Sequence, residues 1–243
     1  MGVRRTQNGF LALSKTNLLV VGAAFGNLLA LGNGHQLFWM QDIDNPPAWL
    51  ADTMSKQELE AMKKSWLQYH AKKTEGILSL CPGCYDMPLR VTQGNGYLYK
   101  AYGVHNGSCG TLKGWEFASE DAELWNTTDD PQIVLKSLPK RLIFELERPM
   151  KKQYPGKPHN CFPLSPVVVY WNLDAAGEIQ IRRRGFPVVP NFSRTIDSAT
   201  GKTIDTAIAD LGDLSTQPSH NRAMKGYIAL SRVTKADDLF LIE

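Results

Sequence analysis

The chain has 243 residues, 43% hydrophobic and 21% charged: long enough for a buried core, and too apolar for a disordered acidic tail, a collagen repeat or a coiled coil. Lys plus Arg is 27 and Asp plus Glu is 24, a net charge of +3. That balance permits nucleic-acid binding without arguing for it, since dedicated nucleic-acid modules are usually more basic.

The N-terminal segment reads two ways. A basic start at Met1–Arg5 precedes a mostly apolar run from Leu18 to Leu31. This is the outline of a signal peptide, short for a membrane span and interrupted by Asn27. The plainer reading is a buried strand or helix at a domain edge. Sequons at Asn106, Asn126 and Asn191 matter only in a secreted chain. Residues 1–35 are an ill-defined apolar segment in this reading.

Leu37 to Met40 is a predicted strand, broken by Asn45-Pro46-Pro47. Ser55 and Glu58 have the spacing of a capping box and predict a helix over 56–73, with Leu59, Met62, Trp66 and Tyr69 on one face. From Pro88 the texture becomes β. Leu89–Thr92, Tyr97–Val104, Thr111–Phe117 and Arg141–Glu147 are predicted strands, with turn chemistry at Asn106-Gly107 and Gly110. Val167–Asn172 is a nearly continuous apolar run, which predicts a strand buried on both faces. Asp174–Gly177 turns the chain and Glu178–Arg182 returns as its hairpin partner. A strand over Thr206–Leu211, a helix over Asn221–Leu230 and a closing strand over Leu239–Ile242 complete the pattern.

Four cysteines are too few for a disulfide scaffold in a chain of this size. Cys81-Pro-Gly-Cys84 has metal-ligand or redox spacing, but a structural zinc site wants a second pair. Cys109 and Cys161 are single, with only His159 near the latter, so a loop carrying two thiols is the plainer reading and no metal is expected. Gly201-Lys202-Thr203 ends like a phosphate-binding P-loop, yet Ile196 occupies the position where that loop needs its first glycine. Arg182-Arg183-Arg184 is either a solvated strand end or a set of phosphate contacts, to which Lys151 and Lys152 could add. The five histidines show no paired spacing, and no nucleophile sits in a recognisable elbow. The residues carry no self-contained hydrolase chemistry.

The last sixty residues are more telling. Arg184-Gly-Phe186-Pro187 is followed by Thr195-Ile-Asp197-Ser-Ala-Thr200-Gly201-Lys-Thr203, then Tyr227-Ile-Ala-Leu-Ser231-Arg232, then the apolar Leu239–Ile242. This succession resembles the C-terminal end of superfamily 1B DNA helicases of the petite-integration-frequency, RecD and Helitron type. Upstream, Met87-Pro-Leu-Arg-Val-Thr92 and Asn106-Gly107-Ser-Cys-Gly110 resemble the same family's entry into a small inserted β-barrel. The resemblance covers roughly residues 36–243.

It implies an α/β fold: a second RecA-like helicase domain with an inserted small β-barrel, a partial P-loop NTPase-type fold lacking the P-loop domain. Residues 36–87 would begin the RecA-like domain, 88–165 would form the insertion, and 166–243 would complete the domain. Arg232 would stabilise charge on the transferring phosphoryl group. Thr195, Gly201, Thr203, Ser231 and Arg184 would line the nucleotide and single-strand sites, with Arg182, Arg183 and Lys202 as further phosphate contacts. Asn106, Gly107 and Gly110 would form the insertion turn that touches or gates DNA. ATP and Mg²⁺ would bind only with an N-terminal RecA-like ATPase domain, which is one implied partner; single-stranded DNA is the other. No membrane is implied, and a nuclear or other intracellular location is, with DNA repair, recombination and telomere maintenance as the family's settings.

Two departures bear on this. The family's His is Asp197 and its Gln is Thr200, and neither a Walker A nor a Walker B signature precedes residue 36. The chain alone is therefore expected neither to hydrolyse ATP nor to unwind duplex. A noncatalytic interaction module derived from a helicase, and a secreted or membrane-anchored protein, are the alternative readings.

Overall fold

The computed structural model describes residues 10–13, 32–41, 43–67, 80–92, 97–173, 176, 178–194, 199–201, 203–210 and 220–242. In chain order the first half carries β1 (Phe10–Leu13), β2 (Leu37–Gln41), β3 (Ile43–Asn45), α1 (Ala48–Asp52), α2 (Lys56–Leu67), β4 (Leu80–Gly83), β5 (Pro88–Val91), α3 (Tyr97–Tyr102) and β6 (Cys109–Glu116). Then come α4 (Ser119–Thr127), β7 (Gln132–Val134), β8 (Arg141–Leu146), β9 (Cys161–Leu164), β10 (Val167–Asn172), β11 (Gln180–Gly185) and β12 (Val188–Pro190). The last stretch carries β13 (Ser193–Arg194), β14 (Thr206–Asp210), α5 (His220–Leu230), a 3₁₀ turn over Ala236–Asp238 and β15 (Leu239–Ile242). The chain divides into two compact units, Met1–Phe25 with Pro190–Glu243, and Gly26–Val189. No helix among the described residues is long and apolar enough to cross a membrane.

The first unit is built on a four-stranded sheet of order β13-β1-β14-β15, parallel throughout. Parallel neighbours need a crossover connection, and α5 supplies it between β14 and β15. Ala207 and Ala209 of β14 and Ala229 of α5 are fully buried and share one cluster with Ala199 and Ile204. These small side chains let helix and sheet approach closely. The inner strand β1 comes from the segment expected to be ill-defined; the apolar run 18–31 lies outside the described residues.

Among the described residues the second unit holds three sheets. In the first, β2 pairs antiparallel with β4 and parallel with β7. Phe38 of β2 is fully buried and meets Trp115, Phe117 and Trp125 at ring-centroid distances of 4.7, 5.2 and 5.6 Å. The second sheet has the order β12-β5-β6-β8-β9. Its alternating pattern on β8 buries Leu142, Phe144 and Leu146, beside buried Leu89 and Leu112. Of the expected barrel this sheet shows five strands without closure: its outermost strands, β12 and β9, do not pair, so no closed barrel is found among the described residues. Closure needs continuous pairing round the ring. Pro163 on β9 and Pro190 at the end of β12 lack the N–H groups that further pairing uses.

Two further expectations change. Tyr97–Val104 reads as a strand through its aromatics, but residues Tyr97–Tyr102 form α3. Tyr99 and Tyr102, three apart, share a helix face and both pack on Phe162, at 5.2 and 5.5 Å. Gly103, at φ +85°, ends the helix: its N–H donates to the Lys100 carbonyl at 3.1 Å and the Val104 N–H to that of Tyr99 at 2.9 Å. That is a Schellman cap, and its positive φ favours glycine. Val167–Asn172 is a strand as expected, but buried on one face only, with Val168 38% and Tyr170 59% exposed.

The capping box forms. The Ser55 N–H donates to Glu58 at 2.9 Å and the Glu58 N–H to the Ser55 hydroxyl at 3.3 Å. The described helix ends at Leu67; residues 68–73 of the predicted span, Tyr69 among them, lie outside the described residues. The backbone and hydroxyl hydrogen bonds from Ser55 hold the Glu58 carboxyl below its ordinary value of 4.5. A depressed carboxylate contributes stability that is complete above its ordinary value and is lost as pH falls through the lowered one. The Tm difference between wild type and Glu58→Gln is accordingly expected to shrink on acidification through that range in a melting series.

A buried carboxylate ties α4 to the loop that follows β7. Asp121 is 1% exposed and accepts from the Lys136 N–H (2.8 Å), the Ser137 N–H (3.0 Å) and the Ser137 hydroxyl (2.7 Å). Asp121→Ala strands those donors and is expected to cost about 1–3 kcal/mol in a urea unfolding curve.

Candidate nucleic-acid interface

The arginine run lies on β11, the central strand of the third sheet, ordered β10-β11-β3. Successive side chains on a strand point to opposite faces, so three consecutive arginines cannot share one. Arg182 and Arg184 are exposed, and Arg183 is fully buried. This removes Arg183 from the expected phosphate contacts. Its guanidinium sits 5.4 Å from the Trp171 ring centroid, and the antiparallel register sets Asp44 of β3 directly opposite. Buried Trp171 and Ile181 form the core of that inner face, with Met62 of α2 packed against them. Met62 is one of the residues the helix periodicity assigns to a packed face.

The outer face carries what the sequence reading missed. Register places Val168 opposite Arg184, Tyr170 opposite Arg182 and Asn172 opposite Gln180. All six side chains are exposed. The signal was present in two apposed strands with alternating sides, but hidden by the assumption that the apolar run is buried on both faces.

The helicase-like motif residues fall mainly in the other unit. Arg232 follows α5, partly exposed. Its Nε donates to the Ile228 carbonyl at 2.8 Å and its terminal nitrogen to the Ser231 hydroxyl at 2.7 Å. The Ile204 N–H donates to the Arg232 carbonyl at 2.8 Å, which fastens the start of the motif strand to the end of the helix. Gly201, at φ +73°, and Thr203 are exposed in the turn leading to β14. Thr200 is exposed beside them. Thr195, Asp197 and Lys202 lie outside the described residues. Arg184 and Arg232 belong to different units.

Asn106 and Gly107 form a turn before β6, and the glycines at 107 and 110 do different work. Asn106 and Gly107 are exposed, with Gly107 at φ +85°. The Gly107 N–H donates to the Val91 carbonyl at 2.8 Å. Gly110 instead lies within β6, where an added Cβ would strike the Glu145 carbonyl and the Phe144 ring. It is required by strand packing. Lys151 and Lys152 are exposed, and Lys152 places its ammonium 4.6 Å from the Tyr102 ring centroid.

Cys81 and Cys84 sit in and beside β4, both buried. Among the described residues no group of three or more His, Cys, Asp or Glu could hold a metal ion. Burial, with the Asp86 charge adding to it, pushes the Cys84 thiol up to about 11. A thiol of that kind is a poor nucleophile near neutrality.

No family model matches the sequence, and no curated protein matches it. Solved structures do. A Pif1 helicase from Candida albicans superimposes over 100% of this chain with a TM-score of 0.52 at 14% identity. The fold is that of part of a Pif1 helicase. A Bacteroides Pif1 in complex with ADP-AlF3 and single-stranded DNA matches 99% of the chain, and one bound to single-stranded DNA matches 98%, each with a TM-score of 0.50 at 12% identity. The chain spans less than half of these proteins: 47% of the Candida chain and 42% of each Bacteroides one. At these identities the likeness concerns the fold.

The burial pattern carries its own test. A thiol reagent at neutral pH is expected to react first with Cys109, the one cysteine that is not buried. Cys81, Cys84 and Cys161 should react only once denaturant opens the sheets, followed as absorbance of the released chromophore.

Proposed function

We propose that this chain is the second motor half of a superfamily 1B DNA helicase: it grips the phosphate backbone of single-stranded DNA and supplies Arg232 to an ATP site whose other wall lies on an N-terminal RecA-like domain. The observation that carries the reading is the outer face of β11, where Arg182 and Arg184 are exposed side by side on the strand that runs into the Gly-Phe-Pro motif. Two cations on one edge-to-edge face release counterions when they meet phosphates. The Pif1 fold over the whole chain supports it, as do the two Bacteroides relatives bound to single-stranded DNA.

ATP and Mg²⁺ fit this chain only in part. Arg232, braced by Ile228 and Ser231, suits a group that meets developing charge on a phosphoryl oxygen, because its stem is held before any ligand arrives. When bound with the opposing wall, ATP and Mg²⁺ would supply the phosphoryl group and its charge neutralisation. The residues that cradle the triphosphate and hold the metal have no counterpart in this sequence, so the chain by itself is a DNA-gripping and charge-stabilising half.

A second reading, a noncatalytic interaction module, is favoured by apolar side chains left in water on the first unit. Met224, Tyr227 and Leu230 of α5 are 50%, 71% and 43% exposed, and Phe240 and Leu241 of β15 are 53% and 54% exposed. A stable complex with a protein partner in the absence of nucleic acid would promote it.

The deciding experiment is a titration of the purified chain into labelled single-stranded DNA across a salt series. Binding is expected to weaken linearly on a log–log plot. Each phosphate contact contributes about 0.7 to that slope for single strands, so Arg182→Ala with Arg184→Ala should flatten it by about 1.4. Absence of binding at low salt overturns the reading.

A further inference from the structure

We propose that the outer face of the β10-β11-β3 sheet is a base-stacking platform for a single strand of nucleic acid, with Tyr170 as the stacking ring and Arg182 and Arg184 as the phosphate contacts beside it. The inference rests on the single-strand reading above and adds the part of the ligand that reading leaves out, the bases.

Tyr170 lies in the middle of a six-residue strand and is 59% exposed. Its ring is held out by the strand pleat, since Trp171 next to it is 3% exposed on the other face. Register then builds the surroundings. Arg182 is the direct cross-strand partner of Tyr170, with Cβ atoms about 4.5–5.5 Å apart in such pairs. Arg184 lies two residues further along the same face, about 7 Å on. Val168, opposite Arg184, extends the apolar floor, and Asn172 and Gln180 close the other end with amides. One row is thus aromatic and aliphatic, and the row beside it is cationic.

A single strand presents the complementary surface: unstacked base faces on one side and a phosphate line on the other. Every base has a π-face, so an exposed tyrosine accepts any of them, while flanking arginines follow the backbone. A duplex keeps its base faces stacked internally and offers only phosphates. A purely anionic protein partner would use the arginines and leave Tyr170 in water. The juxtaposition of ring and guanidinium rows therefore points to nucleic acid in its single-stranded form. Tyrosine also loses little conformational entropy on contact, with two side-chain torsions to fix.

The test compares two labelled strands of equal length against the full chain: oligo-dT, and an abasic strand with the same phosphates and no bases. Wild type is expected to bind oligo-dT more tightly than the abasic strand by about 5- to 150-fold, the range that stacking of one base supplies. Tyr170→Ala is expected to erase that preference while leaving abasic binding unchanged, and Tyr170→Phe, which keeps the ring, to retain it. Equal binding of wild type to both strands, or a preference that survives Tyr170→Ala, overturns the platform and leaves the phosphate grip standing. Failure of wild type to bind either strand overturns the single-strand reading and the platform with it.

Discussion

The β10–β11 hairpin imposes one constraint from which the functional surface follows: each residue on a strand faces the opposite way from its neighbours. Arg183 must therefore go in if Arg182 and Arg184 are to stay out. Taking a guanidinium out of water is costly, and the inner face answers with the Trp171 ring at 5.4 Å. Burial of that central arginine anchors the strand between its two neighbours. Losing the alternation by a slip of one residue would turn Tyr170 and both exposed arginines into the core.

The remaining sheets are scaffolding of two kinds. In the antiparallel sheet β12-β5-β6-β8-β9, the glycine at 110 permits β6 and β8 to meet without a side chain between them, and Lys113, at the irregularity on β6, is held by Asp86 at 2.5 Å. Its ammonium is stabilised first by that hydrogen bond, which raises its pKa. Asn160, one of two non-glycine residues at positive φ among those described, fastens the long loop before β9: its side-chain oxygen accepts from the Met150 N–H at 2.8 Å and its amide donates to the Leu146 carbonyl. In the parallel unit the device is different, a seam of alanines from β14 and α5 that trades side-chain bulk for close approach.

The two units carry different devices. One unit braces an arginine at the end of a helix. The other exposes an aromatic and cationic sheet face. Under the proposed function, Arg232 is one of several groups that meet the developing charge in phosphoryl transfer. The fold of the chain overlays 47% of the Candida Pif1 chain and 42% of a Bacteroides one.

Local chemistry was legible from the residues themselves. The capping box at Ser55 and Glu58, the strands near 37–41, 88–91, 141–146 and 239–242, the hairpin after 167 and the turn at Asn106-Gly107 depend on near neighbours in the chain, so their signals survive without tertiary context. So did the motif order that pointed to the helicase fold. What the tertiary structure alone decided were matters of partner and face. β1 becomes an inner strand only because β13 and β14, almost two hundred residues away, lie on either side of it. Residues Tyr97–Tyr102 become a helix because Phe162 and a cap at Gly103 favour one aromatic face over alternation. Arg183 and Tyr170 exchange their expected environments because register, set by pairing across the sheet, determines which side of a strand meets the core and which meets water.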